Sequence, residues 1–128
     1  MKKVVAILVF VLAFTINSNA QDKTSKVIAL EQTKGEFTQK ALTVNAGVYV
    51  FEVSNNHAAK EVGLVLVPKG KDASNPENHI KTAYVTKVVT DGKTEITKAT
   101  TLAKGEYVYF FPLNPTPQYT LTVLEGIN

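Results

Sequence analysis

Hydrophobic and polar positions alternate along most of this chain with a period of two, the spacing of a half-buried strand. In "KVIALEQ" (Lys26–Gln32), Ile28 and Leu30 share one face. In "VYVFEVSNN" (Val48–Asn56), Tyr49, Phe51 and Val53 alternate against Val48, Val50 and Glu52. "EVGLVLVPKG" (Glu61–Gly70) sets Val62, Leu64 and Leu66 on one side. Near the C-terminus Tyr107, Tyr109 and Phe111 form one face, followed by Tyr119, Leu121 and Val123. Turn residues separate these runs: "NAG" (Asn45–Gly47) after "ALTV", and Asp91–Gly92 inside "TAYVTKVVTDGKTEITKATTL", where the dipeptide predicts a hairpin. No long window has a helical period. "DASNPENHIK" (Asp72–Lys81) is the exception, since Ser74 or Asn75 can cap a turn begun by Pro76. The prediction from the pattern is an all-β sandwich or barrel of seven to eight short strands, with at most one short helix near residues 74–82.

One local motif sharpens this. "LAKGEY" (Leu102–Tyr107) fits L-x-x-G-x-Y, the form of a tyrosine corner. The hydroxyl of Tyr107 is expected to bond back to the backbone of the arch before its strand, tying a crossover between sheets.

The first twenty residues read differently. Lys2 and Lys3 precede eleven unbroken apolar residues, Val4 to Phe14, and Ser18 and Ala20 stand at the small-residue positions before Gln21. That is the pattern of a secretory signal peptide, residues 1–20. A membrane anchor is the alternative, but the apolar run falls short of the roughly 20 residues a span requires. The expected mature domain is residues 21–128, with no membrane span after signal removal and a periplasmic or secreted location. It lacks Cys, so no disulfide supports it and no lipid-bearing Cys follows the cleavage point.

Charge excludes one class of partner. The whole-chain value of +3 owes two charges to Lys2 and Lys3. The remaining lysines are spread along the sequence and there is no Arg, so nothing forms a nucleic-acid patch.

Two segments carry a family resemblance. "GEFTQKALTVNAGVYVFEVSNN" (Gly35–Asn56) resembles the opening of cupredoxins, in which F-x-x-x-x-L-x-V leads to a Gly turn, an apolar strand and Asn-Asn. "LAKGEYVYFFPLNPTPQYTLTV" (Leu102–Val123) is similar to that family's G-x-Y-x-[FY]-x-C strand, ligand loop and final L-x-V strand. The resemblance implies an all-β Greek-key sandwich of two sheets, of cupredoxin type, that is usually exported and usually carries electrons through one copper ion. Transferred position by position, the family's ligands fall on Glu61 (first His), Phe111 (Cys), Asn114 (second His) and Tyr119 (axial Met). A type 1 centre requires a thiolate, two imidazoles and a weak axial donor. With no Cys in the chain and Met1 the single Met, no alignment restores that set, and no cofactor is expected.

Phe111, Leu113 and Tyr119 are instead expected to plug the metal end of the sandwich. Pro112, Pro115 and Pro117 stiffen the loop, and Asn114 should serve its turn. A stiff loop loses little entropy on association. The leading expectation is therefore a non-enzymatic binding or structural module that meets an unidentified protein or small ligand at the Phe111–Tyr119 end. The alternative is a weak copper or zinc site built from His57 with Glu61, or from His79, the only two histidines being His57 and His79. Ser25, Ser54 and Ser74 occupy no nucleophile-elbow sequence, and "KGK" (Lys69–Lys71) reads as a solvated turn.

Overall fold

A computed structural model describes residues 25–125. The signal-peptide expectation for residues 1–20 lies outside them. Eleven strands are present among the described residues: β1 (Lys26–Thr33), β2 (Glu36–Phe37), β3 (Ala41–Asn45), β4 (Gly47–Asn55), β5 (Glu61–Val62), β6 (Val65–Pro68), β7 (Val89–Thr90), β8 (Thr94–Ile96), β9 (Thr100–Leu102), β10 (Gly105–Phe110) and β11 (Tyr119–Leu124). This exceeds the seven or eight expected because β2, β5 and β7 are two-residue pairings, too short to leave an alternating pattern.

One sheet runs β2-β1-β4-β8, with β9 also on β4, and the second runs β3-β11-β10-β6. Most pairs are antiparallel. The exceptions are β1 with β4 and β3 with β11, which are parallel. Register places Ile28 opposite Phe51 and Leu30 opposite Val53 in the first sheet. In the second, Tyr109 stands between Tyr119 and Leu66. These inward faces form one core with Phe37, Tyr49, Leu102, Leu121 and Val123, so the architecture is the predicted sandwich.

The alternation holds best on β1 and β4. β6 departs from it, because Val65, Leu66 and Val67 are all buried. Leu66 joins the main core, while Val65 and Val67 pack with Val108 and Phe110 on the other face, beneath Ala73 and Phe111. The segment after β6 thus covers the outer face of the second sheet. Its expected helix is two single 3-10 turns, Pro76–Asn78 and Lys81–Ala83. Asn75 caps the first through its side chain, which accepts from the Glu77 amide at 3.0 Å, as the sequence suggested.

Asp91–Gly92 turns the chain as expected. Gly92 has φ +81° and the Lys93 amide donates to the Thr90 carbonyl at 2.9 Å. The flanking strands, however, do not pair with each other. β7 pairs with β5 and β8 with β4, so the turn passes the chain between sheets and closes no hairpin. The tyrosine corner is formed: the Tyr107 hydroxyl donates to the Ala103 carbonyl at 2.8 Å, in an exposed rather than buried setting.

Candidate functional site

The β10–β11 loop is pinned by Asn114. Its side chain is buried, although the loop around it is exposed. Nδ2 donates to Gln32 Oε1 and to the Thr33 carbonyl, both at 3.0 Å, and Oδ1 accepts from the Gly35 amide at 2.8 Å. Gln32 Nε2 passes the connection on to the Gly63 carbonyl at 2.7 Å. The expectation that Asn114 serves its own turn is therefore corrected. Its partners lie about eighty positions away in sequence, and they fasten the loop to the β1–β2 corner and to the β5–β6 link. The loop closes on itself elsewhere: the Phe111 amide donates to Thr116 Oγ1 at 2.9 Å and the Thr116 amide to the Phe111 carbonyl at 3.3 Å.

Phe111 lies across Gly63. A Cβ at position 63 would meet the Phe111 ring at 3.0 Å, so glycine lets the ring lie close against the backbone and a larger residue would push it outward. Phe111 and Gly63 form part of an open groove of about 340 Å³, together with Val62, Leu64, Val85 and Leu113. Glu61, exposed on β5, stands in the lining as well. Leu113 is 78% exposed, and Val88 beside it is also exposed. The expectation that Leu113 fills the sandwich end is thus corrected. Proline-fixed backbone and the buried Asn114 beside it hold Leu113 outward.

Tyr119 lies in a different cluster. Its ring meets Phe37 edge-on at 5.8 Å and Tyr109 at 5.6 Å, and Lys40 Nζ lies 5.5 Å from its centroid. The Tyr109 hydroxyl donates to the Gln39 carbonyl at 2.5 Å. Burial, reinforced by Tyr119, holds the Tyr109 hydroxyl well above the ordinary tyrosine range. Of the four positions assigned by resemblance, the fold brings Glu61 and Phe111 into one groove. Asn114 sits behind it and Tyr119 in the neighbouring aromatic cluster.

The histidines are apart. His57 has φ +56° and its Nδ1 lies 2.9 Å from Asp91 Oδ1, with both side chains largely exposed. Asp91, rather than Glu61, is its carboxylate. Both ring nitrogens of His79 are engaged: Nε2 donates to the Ala73 carbonyl at 2.8 Å and Nδ1 meets the Tyr84 hydroxyl at 2.6 Å. Among the described residues no three His, Cys, Asp or Glu side chains gather as a metal-binding group. A type 1 copper ion does not fit this donor set. The chain has no Cys to supply a thiolate, and the positions to which the resemblance assigned a thiolate and an imidazole hold the Phe111 ring and the hydrogen-bonded Asn114 amide.

Sequence reading missed Gln32, Gly63, Tyr84 and Val85. Gln32 carried one signal, a polar residue on the inward face that begins with Ile28 and Leu30. The others become neighbours only through the long-range pairings of β6 and the Val85–Thr97 bridge.

Several solved structures share this fold. Auracyanin B superposes with a TM-score of 0.58 at 20% identity, over 82% of this chain and 94% of that one. A dithionite-reduced auracyanin from the photosynthetic bacterium Roseiflexus castenholzii gives 0.58 at 22%, over 76% and 95%. Auracyanin A, a "blue" copper protein from Chloroflexus aurantiacus, gives 0.55 at 20%, over 76% and 97%. No curated protein matches the sequence. The profile described as Cupredoxin-like domain matches residues 5–123, and with the sandwich, its strand order and its corner tyrosine in place, this chain belongs to the cupredoxin-like domain family.

Proposed function

We propose that this chain is an exported, non-enzymatic recognition or structural module, a cupredoxin-like domain whose metal end presents a contact surface. The observation that carries the reading is Leu113. A large aliphatic side chain is 78% exposed on a loop that buried Asn114 and three prolines hold in place. Exposed apolar groups on rigid backbone favour association, because desolvation is gained without much ordering cost. The groove beside it, floored by Phe111 and Gly63, supplies concavity.

The test is site-specific photo-crosslinking in the native host. A photoreactive residue replacing Leu113 should give a discrete adduct in the exported fraction. The same residue replacing Leu124, exposed on β11, should give none. Adducts from position 124 alone would place the contact surface elsewhere. Mass analysis of the exported chain should find an N-terminus at Gln21. Cupric ion added to the purified protein should produce no intense blue band.

A further inference from the structure

The apolar groove has a neighbour of opposite character. A second depression, of about 300 Å³, shares Tyr84 and Val85 with it and is otherwise lined by Lys81, Thr82, Thr86 and Lys98. The charges are sorted. Glu61 is the single charged residue of the apolar groove, while the second depression holds two lysines and no acid. None of the three joins an ion pair among the described residues, unlike Lys40 with Glu36 or Lys69 with Glu106. The shared wall is fixed, because the Tyr84 hydroxyl is held by His79 and the Thr86 amide donates to the Ile96 carbonyl at 3.0 Å.

We propose that the two depressions form one site for a free single-chain alkyl carboxylate. The tail lies along Phe111 and Leu113, and the carboxylate sits between Lys81 and Lys98. This deepens the recognition reading and rests on it. The groove volume falls at the lower end of small-ligand sites. Apolar walls reward each buried methylene. Two unpaired ammonium groups reward an anionic head at one end, and Glu61 penalises it at the other, so the ligand has one favoured direction. A cationic amphiphile would set its head against the lysines or crowd it beyond Glu61, away from the tail's best walls. An extended peptide finds part of the floor already committed: the Gly63 carbonyl accepts from Gln32 and Val65 is paired with Phe110.

The test is calorimetric titration of residues 21–128 with decanoate, octanoate and decyltrimethylammonium, all below micelle formation. Decanoate should bind saturably. Octanoate, two methylenes shorter, should bind about fifteenfold more weakly, since each buried methylene is worth roughly fourfold in affinity. The double variant Lys81→Glu, Lys98→Glu, altering exposed side chains only, should keep its circular dichroism and lose at least about tenfold for decanoate. Leu113→Asp should weaken decanoate in the same way. Binding that ignores chain length, a cationic amphiphile that binds as tightly as decanoate, or no saturable binding of decanoate would each overturn the proposal. If decanoate fails while the position 113 crosslink persists, the ligand class is wrong and the contact surface stands.

Discussion

Asn114 and His57 each stand in a loop at which the family resemblance looked for copper ligands, and the fold treats them in opposite ways. Asn114 is 2% exposed and makes three hydrogen bonds, to two segments of the β1–β2 corner. His57 projects into solvent with one carboxylate partner on a positive-φ backbone. Burial makes the difference energetic. A buried amide that loses its partners costs the desolvation of each group left behind, whereas an exposed ion pair is screened and worth little. Asn114 thus secures its loop through a neutral polar network, whereas His57 secures little of its own, which is held instead by the buried Asn55 through Ala58, Ala59 and Val89.

Removing Asn114 should produce the largest effect. Asn114→Ala strands the Gly35 amide, Gln32 Oε1 and the Thr33 carbonyl, and should lower unfolding free energy in urea by about 3 kcal/mol. A loss under about 0.5 kcal/mol would dissolve the contrast with His57.

Alkali should come next, through Tyr109. Its folded value is raised, so the buried phenol stays protonated while an unfolded tyrosine ionises near pH 10. The stabilising contribution is complete below about pH 10 and is lost above it at up to about 1.4 kcal/mol per pH unit. Tyr109→Phe should flatten that decline in urea melts taken between about pH 9.5 and pH 11.5. An unchanged slope would mean the phenol ionises within the fold.

Tyr107→Phe removes one exposed hydrogen bond to Ala103 and should cost about 1 kcal/mol, read as a lower urea midpoint with unchanged slope. The smallest expected effect has the opposite sign. His57→Gly relieves a left-handed residue and should stabilise by about 0.5 kcal/mol, and a loss instead would mean that the Asp91 contact outweighs the backbone strain.

The fold was legible wherever two-residue periodicity decided burial. Ile28, Leu30, Tyr49, Phe51 and Val53 all face the core as their alternation required. Tyr107 was legible from a motif whose geometry is local, since its acceptor is four residues away. Partnerships without a local signature were not. Asp91–Gly92 announces a turn, but whether the strands beside it pair together depends on β5 and β4, which lie elsewhere in sequence. Asn114 looked like turn chemistry because Asn before Pro usually is, and its real partners are distant. The groove was invisible for the same reason. It is assembled from the β5–β6 link, the Tyr84–Val88 stretch and the β10–β11 loop, none of which is apolar enough alone to mark a surface.

The placement of β11 sets a rule for assembly. This strand, near the C-terminus in sequence, is interior to its sheet, with β3 and β10 as its two neighbours. A polypeptide made in order must leave β3 without a partner until Tyr119–Leu124 arrives, so half of the sandwich has no stable precursor. Synthesis therefore finishes before collapse can lock, and a nascent chain stalled short of Tyr119 should be open to proteases while the finished one resists.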